Sequence, residues 1–136
     1  MKPFLVVIIL FFADATKASD LAPFTTDGCS RFPGGTLSEP DLWLECCTIH
    51  DVAYWKGSTV EQRSVADLEL RQCVSGLGRP TTTLLMFVGV RIGGTPYVPT
   101  SFRWGYGWPY FPDYAGLSEF EQAAIEKALK DAGKNP

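Results

Sequence analysis

The reading of this chain turns on Glu45 to Tyr54, "ECCTIHDVAY", which puts two adjacent cysteines, the only histidine, an aspartate and a tyrosine within three helical turns. At 100° per residue, Trp43, Cys46, Cys47, His50, Asp51 and Tyr54 share an arc of roughly 140° on such a helix. One face therefore carries every reactive group of the segment. Ser38 as cap, Glu39, Pro40 and Asp41 in the first turn, and Gly57 as a stop predict a helix over about 39 to 56.

A second helix is expected over about 59 to 75. Ser58 and Glu61 stand at capping-box spacing, and Val65, Leu68, Leu70, Cys73 and Val74 supply the apolar positions. The short link makes these two helices antiparallel neighbours. Residues 81 to 92, "TTTLLMFVGVRI", fit helix and strand equally well; they form core or the wall of an apolar site, too short to span a bilayer and interrupted by Arg91. Residues 95 to 116 hold eight aromatics broken by proline and glycine, and read as irregular structure packed on the helices. Ser118 and Glu121 form another capping-box pattern. The last helix, over 118 to 132, carries Phe120, Ala124, Ile125, Ala128 and Leu129 on one face.

Upstream, Lys2, an apolar run from Phe4 to Ala13, and small residues at Ala13, Ala15 and Ala18 have the layout of a signal peptide over residues 1 to 18. The run falls short of the ~20 residues a spanning helix needs. Export leaves about 118 residues, one domain with a modest core. A net charge of -3 removes nucleic acid as a partner, since phosphate binding requires a basic surface. Four cysteines in an exported chain favour two disulfides over zinc ligation by Cys46, Cys47 and His50. A Cys46 to Cys47 bond is sterically poor, so Cys29 joins one of the pair and Cys73 the other.

If Cys46 bonds Cys73, His50 lies roughly 6 Å along the axis from that staple, and Asp67 roughly 9 Å along the antiparallel partner. Asp67 then arrives opposite His50. The remaining bond, Cys29 to Cys47, would bring Asp27 near Asp51. Two carboxylates with loop carbonyls make an oxygen shell that suits Ca2+.

"CCTIHDVAY", with Asp67 six residues before Cys73, resembles the secreted phospholipase A2 superfamily, whose signature is Cys-Cys-x-x-His-Asp-x-x-Tyr with a later Asp-x5-Cys. "TDGCSRFP" is similar to the Asp-x-Cys-Ser/Thr-x-x-Pro loop of its bacterial and fungal branch. The resemblance spans about Asp27 to Val74. It implies a mainly α fold in which two antiparallel, disulfide-linked helices carry the site behind an ordered calcium-type loop. His50 would be the general base toward water, Asp67 would hold its other ring nitrogen, and Tyr54 would support the aspartate. Asp51, Asp27 and the Gly28 carbonyl would hold Ca2+. The animal-type glycine-rich calcium loop is absent, "SRFPGG" following Cys29 instead.

The expected activity is Ca2+-dependent hydrolysis of an acyl ester of glycerophospholipids at a membrane surface, by an exported periplasmic or secreted protein. Two rivals stand beside it. One is a catalytically silent module of the same build that binds lipid or a protein partner; the other is a disulfide-stabilised structural protein of the envelope.

Overall fold

The structure, a computed structural model, describes residues 17–110 and 113–134. The expected signal segment lies outside them except for its last two residues, as does Phe111. Among the described residues there are four helices and no strand: α1 (Leu44–Lys56), α2 (Val60–Ser75), α3 (Pro80–Gly93) and α4 (Glu119–Asp131). None is long and apolar enough to cross a membrane.

Disulfides join Cys29 to Cys47 and Cys46 to Cys73, a pattern that fits an oxidising compartment. The cross-helix partners of α1 and α2 run in opposite order, with Cys46 at Cys73, His50 at Asp67 and Tyr54 at Arg63, so the two are antiparallel. Helix α3 packs antiparallel on α2 in turn, with Phe87 under Arg71 and the carbonyls of Val90 and Arg91 on Arg63. Trp43, Leu70, Val74 and Met86 close the core between them, and full burial of each apolar side chain is worth about 2 kcal/mol.

Helix α1 begins later than its capping signals predict. The Trp43 indole N–H donates to the Pro33 carbonyl at 2.6 Å, and its backbone N–H donates to the Gly34 carbonyl at 2.9 Å. Both bonds hold residues 39 to 43 in turns, and Ser38 shares a hydroxyl bond with Thr36 rather than capping a helix. At α2 the cap is Thr59, whose hydroxyl accepts the Gln62 N–H; the expected Ser58 cap is not made, and the Ser58 carbonyl accepts the Trp104 indole N–H. The ambiguous apolar segment is helix α3, opened by Pro80 in its first turn.

Helix α4 has the anticipated Ser118–Glu121 capping box. Ile125 and Leu129 are buried as expected, whereas Phe120 is exposed and Glu121 takes an inward place. Glu121 is held there by the Ser118 N–H and the Lys17 ammonium, which outweigh the cost of its burial and keep its carboxyl below the usual range.

The irregular aromatic segment has a definite task. An α-helix leaves its last four carbonyls without partners, and for α1 all four are satisfied. Ala53 accepts from Gly57, Tyr54 from the Gly105 N–H, Trp55 from the Gly107 N–H, and Lys56 from the Trp108 indole. Gly107 permits this approach, because a Cβ there would lie 2.6 Å from the Trp55 ring. "WGYGW", residues 104 to 108, is thus a cap assembled from far along the chain.

Candidate active site

His50 and Asp51 lie on the inner face of α1, each 8% exposed. His50 Nε2 meets Asp67 Oδ1 at 2.8 Å, and the Tyr54 hydroxyl donates to the same oxygen at 2.7 Å. The other oxygen, Oδ2, accepts from Arg91 at 2.7 Å. Among the described residues His50 Nδ1 makes no hydrogen bond, and the ring lines a cavity of about 410 Å³.

Asp67 has no exposed surface. Burial alone would raise its carboxyl, but hydrogen bonds from His50, Tyr54 and Arg91 outweigh it and hold the group below the usual carboxylate range. Tyr54 is pushed upward by burial and by the neighbouring Asp67 charge, so its hydroxyl stays protonated and donates. Its ring stacks obliquely on His50, with centroids 4.3 Å apart, and meets Trp104 edge-on at 5.0 Å. Behind it, Arg63 donates from Nε to the Tyr54 hydroxyl at 3.1 Å and from Nη1 to Tyr114 at 2.7 Å.

The cavity is largely apolar. Phe32, Leu70, Met86, Val90 and Phe102 line it, and Gly89 and Gly93 lower its wall on α3. His50 and Asp51 line it as well, with Gly28 and Ser30 of the loop before α1. A ligand with an apolar chain and a polar head suits this lining.

The loop reaches Asp51 as the Cys29–Cys47 bond requires. Thr26 donates its hydroxyl to Asp51 Oδ2 at 2.6 Å and accepts the Gly28 N–H at 3.0 Å. The Asp51 carboxyl is raised to about 6, first by burial, against the Thr26 hydrogen bond, and further by the negative charge of nearby Asp27. Asp27 itself is exposed and accepts the Ser30 hydroxyl at 3.0 Å. Among the described residues no three His, Cys, Asp or Glu side chains are grouped to hold a metal. The two neighbouring carboxylates nonetheless fit a hard cation: one is desolvated, and they repel each other until a positive charge compensates them.

All six residues that the sequence singles out, His50, Asp67, Tyr54, Asp51, Asp27 and Gly28, belong to this one region. Thr26, Arg63, Arg91 and Tyr114 were missed. Thr26 alone carried a local signal, a hydroxyl two residues before glycine, the spacing of a side-chain turn. Comparison with protein-family models, with curated proteins and with solved structures finds no match.

Proposed function

We propose that the protein is a Ca2+-dependent, phospholipase A2-like hydrolase that cleaves an acyl ester of glycerophospholipids. The observation that carries this reading is the His50–Asp67 pair: Nε2 is engaged, Nδ1 makes no hydrogen bond among the described residues, and the ring lines an apolar cavity. A carboxylate on one ring nitrogen fixes the proton there and leaves the other as a base.

In the proposed reaction, water at Nδ1 gives its proton to the imidazole as its oxygen bonds to the ester carbonyl carbon. The tetrahedral intermediate then collapses, the bond from that carbon to the glycerol oxygen breaks, and the Nδ1 proton passes to the departing alkoxide. No side-chain nucleophile is needed, and Asp67 steadies the imidazolium between the two steps. Asp51, Asp27 and the Gly28 carbonyl would hold Ca2+, which when bound supplies positive charge to the lipid phosphate and to the oxygen on which negative charge grows.

The outward side of α3 supports a membrane surface as partner. Leu84, Leu85, Val88 and Ile92 are exposed beside the cavity wall. No aspartate or glutamate occurs between Glu69 and Asp113, whereas the exposed Arg71 and Arg79 do. An apolar face with basic residues on the flanks matches an anionic bilayer surface. The signal-like N-terminus supports export to the periplasm or the medium.

One observation favours the silent lipid- or protein-binding module instead: the Thr26 hydroxyl already occupies one of the two Asp51 carboxylate oxygens. Phospholipid vesicles decide between them. Fatty acid release that disappears with EGTA and with His50→Gln is expected; vesicle binding without hydrolysis at millimolar Ca2+ would select the silent module.

A further inference from the structure

Arg91 lies in the last turn of the apolar helix α3, where a cation suits the helix dipole, and its Nη1 reaches the fully buried Asp67 Oδ2 at 2.7 Å. An ionised carboxylate can exchange its two oxygens by rotating about its last torsion, which is broad and two-fold. Asp67 Oδ1 serves both His50 and Tyr54; a half turn only swaps two equivalent oxygens, but a partial turn would carry Oδ1 out of line with His50 Nε2. The bond on Oδ2 opposes such a partial turn, and among the described residues the other cation beside that oxygen is Arg63 Nε, at 3.9 Å.

Arg91 is itself anchored at its backbone. Arg63 Nη2 donates to the carbonyls of Val90 at 2.9 Å and Arg91 at 2.8 Å, both in the last turn of α3, where Val90 also accepts the Gly94 N–H at 3.0 Å. Gly94 follows, with a Cβ-free approach to Tyr54 that any side chain would block at 2.5 Å. A closed circuit results: His50, Asp67 and Arg91 on one side, then Arg63 and Tyr54 returning to Asp67.

We infer that Arg91 is a positioning residue: it locks the Asp67 carboxylate in one orientation and thereby holds the His50 ring in the tautomer with its proton on Nε2. The inference rests on the proposed hydrolase reading for its kinetic consequence, and on geometry alone for its structural one.

The single histidine makes the test direct, since 15N-histidine labelling gives one ring and no overlap. In long-range 1H–15N spectra at mildly alkaline pH, wild type should show the proton on Nε2 in slow exchange. Arg91→Met should lose that slow exchange and average the two tautomers, while Arg91→Lys, which can still reach one oxygen, should keep the wild-type tautomer. In vesicle hydrolysis kcat should fall on the order of 10- to 100-fold in Arg91→Met with KM within about twofold, the signature of misplacement rather than weaker binding. An unchanged ring spectrum in folded Arg91→Met overturns the inference. If that variant does not fold, Arg91→Gln is judged by the same spectrum; failure of both to fold assigns Arg91 to stability and also overturns it. If wild type releases no fatty acid, the hydrolase reading fails while the ring spectra still decide the role of Arg91.

Discussion

His50 and Asp67, seventeen residues apart, meet at 2.8 Å where the aspartate has no exposed surface. The carboxylate accepts from His50, Tyr54 and Arg91 at once. Asp67→Asn removes the charge and sets an amide NH2 against one of these donors. Breaking a buried charge pair in this way costs about 3 to 5 kcal/mol. Urea unfolding should register that loss, and hydrolysis should fall with it. A variant as stable as wild type would mean that the carboxylate is not the hub of this network.

The two buried aspartates respond to pH with opposite sign. Asp51 is raised from 3.8 to about 6 by burial and by Asp27, so the folded state holds its proton more tightly than the unfolded chain does. Its contribution is complete below 3.8 and is lost as pH rises through about 6. Asp67 is lowered; its contribution is present above 3.8 and is lost as pH falls through its folded value. In EGTA, stability should therefore decline between roughly pH 4 and 7, by on the order of 2 kcal/mol. Ca2+ replaces the missing positive charge, so it should raise the melting temperature clearly near pH 8 and hardly near pH 5. Equal Ca2+ shifts at both pH values in thermal melts would speak against Asp51 as a ligand.

What the sequence made legible was local. The α1 face could be drawn because its cysteines, His50, Asp51 and Tyr54 all lie within one helix, and α4 because Ser118 and Glu121 announce its start. Two disulfides then reduced the placement of Asp67 and the Asp27 loop to a small geometric problem. Helix α3 was ambiguous because Leu84, Leu85, Val88 and Ile92 make its outward side as apolar as its inward side, which erases the 3.6-residue contrast. Arg91 was invisible as a partner because Asp67 is 24 residues away on another helix. The late start of α1 depends on Pro33 and its C-terminal cap on residues 105 to 108, neither of which a helix-start or helix-stop rule can reach.

The exposed side of α3 gives a prediction about lipid docking that is separable from chemistry. Replacing Leu85 and Ile92, 58% and 75% exposed, with aspartate removes two apolar contacts and adds charge to a segment without acids. Burying such a side chain is worth about 1.5 to 3 kcal/mol, so the double variant should bind anionic vesicles at least tenfold more weakly. Hydrolysis of a soluble short-chain ester should be retained, because neither residue lines the cavity. Unaltered sedimentation with vesicles would exclude this face as the docking surface.

Gly89 tests the cavity itself. It lies in α3 and lines the apolar wall, yet a Cβ built there meets nothing within 4 Å. A larger residue should therefore fold without strain, and replacing an interior helical glycine gains up to about 1 kcal/mol of helix propensity. Gly89→Phe should keep or raise the melting temperature while its ring fills space that an acyl chain would occupy. KM for long-chain lipid should rise on the order of tenfold, with short-chain substrate much less affected. A stable Gly89→Phe protein that hydrolyses long and short chains as wild type does would show that the acyl group binds elsewhere, and the cavity beside His50 would lose its part in the reaction.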